Sequence, residues 1–427
     1  FKQKTAYEIS LGLVGSEMCI RDRDIYSVGM NEPVEKIGDK WDYAIAHPIK
    51  PITVNEAPCH EVIIEGKNLL GPGKGLDALP IPVSTPGFDN APTLTSTNVV
   101  TRDPETGLQN MGTYRAALKA SDRLVVRMAT RVGGAGGYAH YKKYRELGQQ
   151  KMPVAIIVGC QPLVAFMGPQ KLPLDVDELD VEGGLAGSPI HVIRGKTVDL
   201  LVPAESELVI EGFIDTDMLE PEGPFGESHG HVNLQEYNGF MDVTAVTRRK
   251  NAIMVSWVSQ VTPSESSAIK RPAYEAAQIE HLRDHLGIKG IRHVCTHEPL
   301  TSLHKLIIAV VDRDMPRTEI WRTLYGIASL RRAEGKWVIA VNEDIDPDNA
   351  DALLWAMAYR LNPVDDVITL DHRGQGHGPK REHSGEEDST LLVDATMKSD
   401  MPPVALPTQE YMENGLTLWK KLGLPPV

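Results

Sequence analysis

Three apolar runs, VDLLV (198–202), VIEGFI (209–214) and MDVTAVT (241–247), decide how the middle of this chain is read. Each is short, rich in β-branched residues and bounded by turn formers, which is the pattern of a strand. Outward from them, RLVVRM (123–128) and VAIIV (154–158) extend the series toward the amino end. The segment 115–147 opens with a helix-like stretch before RLVVRM, and 176–186 reads as a helix. A block with many strands and few long helices suits a β-barrel better than a doubly wound sheet. The pattern changes after Pro263. Residues 264–287 (SESSAIKRPAYEAAQIEHLRDHLG) carry the longest helical period, interrupted by Pro272, and read as a connector. Strands at 291–295, 305–311 and 337–341 then alternate with helices at 317–330 and 349–360, which predicts an α/β domain with a largely parallel sheet. Residues 410–424 form an amphipathic helix that could dock on its own chain or on a partner subunit.

Composition bounds the function. A chain of 427 residues suggests two or three domains, and 41% hydrophobic with 24% charged residues describes an ordinary globular protein. The net charge of −14 argues against nucleic acid or an anionic membrane as a partner. No apolar run approaches the roughly 18–20 residues that span a bilayer. Cys19, Cys59, Cys160 and Cys295 are scattered without a CxxC pair, which excludes a zinc ribbon or disulfide scaffold and predicts free thiols in a cytoplasmic setting. Residues 1–23 (FKQKTAYEISLGLVGSEMCIRDR) resemble translated adapter read-through and are set aside, the alternative being a disordered leader. On that reading the true amino terminus is missing, and 24–95 is the remnant of an amino-terminal α/β domain.

Four segments could carry chemistry. PEGPFGESHGH (221–231) follows a strand and reads as a loop, with Glu222 and Glu227 five apart among glycines and histidines. Paired carboxylates can shift one another so that one serves as a general acid. A solvated turn is the plainer reading. QNMGTYR (109–115) could set an amide oxygen and the Arg115 guanidinium on one turn, a fork suited to a carboxylate. Alone it reads better as a helix start capped by Asn110. RMATRVGGAGGYAHY (127–141) is strand then glycine-rich turn, able to cradle a phosphate but neither GxGxxG nor Walker-type. DVDELDVEGGLAG (175–187) is a solvated acidic helix start or a source of one oxygen ligand for a hard divalent ion. DHRGQGHGPKREH (371–383) is histidine-rich but irregularly spaced, so a flexible loop is expected, and no GxSxG hydrolase signature is present.

Taken in order, QNMGTYR, RM…GG, ELDVEGGLAG, VPAESELVIEGFI (202–214) and EPEGPFGESHGH resemble the UbiD-like decarboxylases, which use prenylated FMN. VTPSESSAIKR and EDIDPDNADALLWAMAYR are similar to the same family, so the resemblance runs from about residue 24 to the carboxyl end. It implies a mixed α+β fold: a split β-barrel flavin-binding domain (96–255), a connector helix (256–290), a carboxyl-terminal α/β domain (291–407) and a terminal helix (408–427). It implies that Asn110 and Glu178 bind Mn²⁺, with K⁺ as an optional companion, at the cofactor phosphate. Thr113, Tyr114, Arg115, Arg127, Met128, Ala129 and Gly133 match cofactor-contacting stretches. Arg115, Glu222 and Glu227 match the catalytic network, with Glu227 as proton donor. The family often places a further histidine ligand just before the glycine-rich turn. Here Arg131 stands near that place and the nearest histidine is His140, which leaves the third protein ligand open.

The implied activity is reversible, non-oxidative decarboxylation of an aromatic, heteroaromatic or α,β-unsaturated acid, in a homodimer or larger homo-oligomer that depends on a flavin prenyltransferase. Two other readings fit the same resemblance: an FMN-binding oxidoreductase on a split barrel, and a non-catalytic subunit of a multi-subunit carboxylase. An intact Arg115/Glu222/Glu227 set argues against the last.

Overall fold

Of the strand-like runs, RLVVRM, VAIIV, VIEGFI and MDVTAVT enter a nine-stranded antiparallel sheet, whereas of VDLLV only Leu201 and Val202 are strand, in a separate three-stranded sheet with Ile52–Thr53 and His191–Arg194. The computed structural model describes residues 24–33, 36–128, 136–173, 175–234, 236–257, 264–297, 305–375 and 387–424. In chain order the strands are β1 (Val62–Glu65), β2 (Thr93–Leu94), β3 (Thr97–Arg102), β4 (Gln109–Gly112), β5 (Ala116–Ala120), β6 (Arg123–Val126), β7 (Lys151–Val158), β8 (Leu208–Glu222) and β9 (Glu236–Arg248). In space they run β2-β5-β6-β9-β8-β7-β3-β4, with β1 added to β9. The two ends of that path do not pair among the described residues, so the sheet is open and no barrel closes.

Both faces of this sheet are covered, which is why its strands read as continuous apolar runs. Along β7, Ala155 and Ile157 enter one core while Val154, Ile156 and Val158 enter the other. Val209 and Ile210 on β8 divide the same way. A one-residue slip would exchange both sets, so register is strongly specified. The first core also holds Tyr26 and Met30 of helix α1 (Asp24–Met30) and Trp41 of α2 (Ile37–Ala46). The second is closed by Tyr141 and Tyr144 of α3 (Gly136–Glu146). Helices α4 (Pro162–Met167) and α5 (Glu178–Ala186) complete the first.

Three local expectations are corrected. The helix-like stretch after Arg115 is strand β5: its Ala, Leu and Lys favour helix, but Ala116 and Ala117 are buried and pair with Val126 and Val125. Tertiary pairing outweighs a propensity difference of a few tenths of a kcal/mol per residue. QNMG is strand β4, not a capped helix start. Strand β8 runs on for 15 residues into PEGPFGE, so Glu222 ends a strand where a loop was expected. Register shifts at Glu211/Gly212 and Ile214/Leu219 bend it there. A Cβ on Gly212 would lie 2.1 Å from the Asp242 carbonyl oxygen, so only glycine fits the first shift.

Helix α6 (Glu265–Glu280), capped by the Ser264 side chain, continues through Pro272 with no interruption. Packing on both sides outweighs the roughly 3 kcal/mol that an interior proline costs. Gly38 of α2 lets the two helices approach; its Cβ would stand 3.3 Å from that of Ala276. Beyond α6 a second sheet holds β10 (Ile291–Thr296), β11 (Leu306–Val311), β12 (Trp337–Asn342), β13 (Val367–Gly374) and β14 (Glu387–Asp394). Their order is β10-β11-β12-β14-β13, parallel at the centre and antiparallel at both outer pairs. Helix α7 (Arg317–Leu330) covers one face and α8 (Ala350–Arg360) the other. The DHRG of the histidine-rich segment is the end of β13, not loop; residues 376–386, with His377 and His383, lie outside the described residues. Helix α9 (Gln409–Lys421) buries no residue. Among the described residues no helix is long and apolar enough to cross a membrane.

Candidate active site

Arg115 stands between β4 and β5, and its guanidinium takes up both motif carboxylates. Nε and Nη2 donate to the two oxygens of Glu222 at 2.7 and 2.9 Å, and Nη1 donates to Glu227 at 2.5 Å. Glu222 is 2% and Glu227 8% exposed. The Phe225 ring lies 4.4 Å from the guanidinium carbon. Burial opposes the charge on Arg115, but the bonds and charges of Glu222 and Glu227 outweigh it and hold the group protonated. One fixed cation thus holds two buried carboxylates, one at the end of β8 and one in the turn beyond it, that stand 107 and 112 residues away in sequence.

The set is wider than the motifs. Arg127, just past β6, reaches Glu227 at 3.4 Å and donates to Glu236 at 3.2 Å. Asn238 on β9 donates to Glu222 at 3.1 Å. Glu236 and Asn238 are two apart on β9 and so lie on one face of it. Period-two reading of 236–248 against 208–222 could have found them, but only with the β8–β9 pairing known. Phe225 was in plain view inside PEGPFGE.

Glu178 opens α5, which is capped by the Asp177 carboxylate accepting from the Leu179 N–H. Its carboxyl accepts from the Met111 N–H at 2.9 Å and from the Asn110 side-chain amide. Burial, against those hydrogen bonds, pushes Glu178 up to about 8. Among the described residues the buried Asn110 Oδ1 has no hydrogen-bond partner. Gly136 abuts it, and a Cβ there would fall 2.2 Å from that oxygen. A desolvated carboxyl, an orphaned amide oxygen and a glycine that keeps the space open fit a divalent cation, whose charge would offset the burial.

The other expected residues are placed as follows. Tyr114 is buried, its hydroxyl accepting from the Gly137 N–H at 3.2 Å. Thr113 donates weakly to Asn98 at 3.5 Å, and Gly168 leaves room beside both, since its Cβ would meet Asn98 at 2.3 Å and Thr113 at 2.6 Å. Met128 is buried in the second core. Ala129, Gly133 and Arg131 lie outside the described residues. His140 Nδ1 is 2.8 Å from Thr101 Oγ1, and Thr101 is the register partner of Asn110. Burial lowers His140 to about 4, so it is neutral near pH 7. Within ELDVEGGLAG the sequence reading passed over Glu182. It is fully buried, both its oxygens lack a hydrogen-bond partner among the described residues, and burial raises it well above the carboxylate range.

Comparisons with known proteins bear on the family and the fold of the chain. The family model described as 3-octaprenyl-4-hydroxybenzoate carboxy-lyase Rift-related domain matches residues 50–261, and its carboxyl-terminal domain model matches 271–395. An uncharacterized protein of Synechocystis sp. is 30% identical over 316 residues, 73% of this chain and 60% of that protein. The chain therefore spans about 60% of that relative's length. The UbiD-class enzyme HmfF of Pelotomaculum thermopropionicum, solved with FMN, superposes with a TM-score of 0.79 at 24% identity, covering 90% of this chain and 84% of that one. An evolved dimeric form of HmfF solved with prFMN gives 0.77 at 25% identity, covering 91% and 84%. The 3,4-dihydroxybenzoic acid decarboxylase AroY of Klebsiella pneumoniae gives 0.78 at 20% identity, covering 93% and 86%. Two family models that together span both sheets, and the same fold throughout, lead to one conclusion: this chain belongs to the UbiD family.

Proposed function

We propose that the chain is a reversible, non-oxidative decarboxylase of an aromatic, heteroaromatic or α,β-unsaturated acid, using prenylated FMN. The observation that carries this is the buried Arg115 guanidinium shared by Glu222 and Glu227. Loss of CO₂ from an sp² carbon leaves charge that side chains alone cannot spread; the modified flavin supplies that electron sink when bound. Thr113, Tyr114, Arg127, Met128, Ala129 and Gly133 would hold it within the large sheet, which on this reading serves as the family's split barrel. Asn110 and Glu178 would hold Mn²⁺, with K⁺ nearby, against its phosphate.

This chain's residues then have separable tasks. Arg115 orients the substrate carboxylate. Glu222, bonded twice to Arg115 and once to Asn238, fixes the direction of the guanidinium fork. Glu227 delivers a proton to the carbon that lost CO₂, and takes it back in the reverse direction. Burial of Glu222 and Glu227, with the Arg115 side chain only 9% exposed, excludes water from the step. We further propose dependence on a flavin prenyltransferase, a cytoplasmic setting suited to the free thiols, and a homo-oligomer in which the apolar side of α9 is covered. The test is co-expression with a flavin prenyltransferase, then screening CO₂ release and solvent-deuterium incorporation over a panel of acids. Absence of both from every acid, with prenylated FMN bound, would sink the reading.

A further inference from the structure

The second sheet carries a group of side chains that the decarboxylase reading does not use. His293 and Cys295 are two apart on edge strand β10, and Glu275 comes from α6, which lies along that edge. A ligand-type atom of each lies within 4.8 Å of those of the other two. Cys295 is fully buried, Glu275 nearly so, and His293 half-buried, which gives the cluster a path to solvent.

The bonding around them leaves ligand capacity open. Glu275 Oε1 accepts from Arg271 Nε at 2.6 Å, from the Thr296 N–H at 2.9 Å and from the Thr296 hydroxyl at 3.3 Å. Among the described residues Oε2 accepts nothing, and the His293 ring has no hydrogen-bond partner. Arg271 Nη2 sits 3.0 Å from Cys295 Sγ and also donates to both oxygens of Asp348 at 2.8 and 3.1 Å. Nη2 therefore keeps both Asp348 oxygens without the sulfur, and the Cys295 thiol donates to Asp348 Oδ1 at 3.4 Å, a bond that a metal ion would replace.

We propose that Glu275, His293 and Cys295 form a binding site for a soft divalent cation of the Zn²⁺ class, separate from the Asn110/Glu178 pair. Sulfur, imidazole nitrogen and one carboxylate oxygen are a zinc-type set, whereas the Asn110/Glu178 pair offers only oxygen to a hard ion. Thiolate and carboxylate together neutralise a divalent charge, and Arg271 stays paired with Asp348. Three protein ligands leave a fourth position for water. The ion would tie α6 to the edge of the second sheet, so its binding adds to folding stability.

The test uses the full-length chain, reduced, stripped with chelator and titrated with Co²⁺ and Zn²⁺. We expect one Co²⁺ per chain with a thiolate-to-cobalt charge-transfer band. We expect the band to survive Glu178→Gln and to vanish in Cys295→Ser. Zn²⁺ should raise the melting temperature of the wild type and not of Cys295→Ser. Should that variant fold poorly, His293→Gln, at a half-exposed position, should weaken binding beyond the roughly 10–100-fold that outer-shell partners cost. A wild type without the charge-transfer band, or a band retained in Cys295→Ser, would overturn the site.

Discussion

Replacing Glu227 by Gln separates two tasks that one arginine couples. The amide oxygen can still accept from Arg115 Nη1, now 2.5 Å from Glu227, and from Arg127 at 3.4 Å, so the fork and its neighbours should keep their places. What is lost is a transferable proton and one negative charge. A lost general acid costs on the order of 10²–10⁴-fold in rate, which is about 3–5 kcal/mol on the barrier. Metal content should be unchanged, because Asn110 and Glu178 bond to one another and not to Glu227, and flavin content should follow it, because the amide oxygen can still face Arg127. Glu222→Gln acts differently. It sets an amide N–H₂ against a guanidinium nitrogen in a buried bidentate pair, a loss of roughly 1.5–3 kcal/mol in stability. The assays are deuterium incorporation from solvent, CO₂ release, and thermal melts of both variants. Glu227→Gln should melt like wild type and turn over slowly, while Glu222→Gln should melt earlier. If Glu227→Gln retains activity within a factor of about three while Glu222→Gln falls by the general-acid range, the two roles are exchanged. If both variants are fully active, these carboxylates are not the acid–base site.

Glu178→Ala should lose Mn²⁺ and flavin together, as read by elemental analysis and absorption; full flavin without metal would show that Glu178 is no bridge. Metal-free protein should lose stability as pH rises. Glu178, raised by burial from 4.5 to about 8, binds its proton more tightly folded than unfolded, so its contribution is full below about 4.5 and is lost toward pH 8. Chemical denaturation across that range should show a slope that Glu178→Gln reduces, and an unchanged slope in the variant would refute the assignment. Glu182→Leu removes a buried acid that has no hydrogen-bond partner among the described residues and should stabilise the protein by about 1–3 kcal/mol; a destabilised variant would mean that another group holds it. Thiol titration of denatured, unreduced protein should count Cys19, Cys59, Cys160 and Cys295 as free.

The strands of the first sheet were legible because burial on both faces leaves a continuous apolar run that needs no partner to be recognised: VAIIV and VIEGFI became β7 and part of β8. The motif residues were legible too, since Asn110, Arg115, Glu178, Glu222 and Glu227 lie in short, ordered segments with a family resemblance. Local propensity misled where pairing decides, as at AALKA, which is strand because Val125 and Val126 face it. It misled again at Pro272, where packing carries a helix past its own breaker. What no reading of the sequence alone supplied is which carboxylate meets which nitrogen. Arg115 meets Glu222 and Glu227 across more than 100 residues, through a β8–β9 hairpin whose register shifts re-aim its end. Asn238, Glu236 and the His293–Cys295–Glu275 group share that dependence. Side-chain type and spacing are properties of the chain, but a hydrogen bond requires two groups within about 3 Å, and only the paired and packed sheets set those distances.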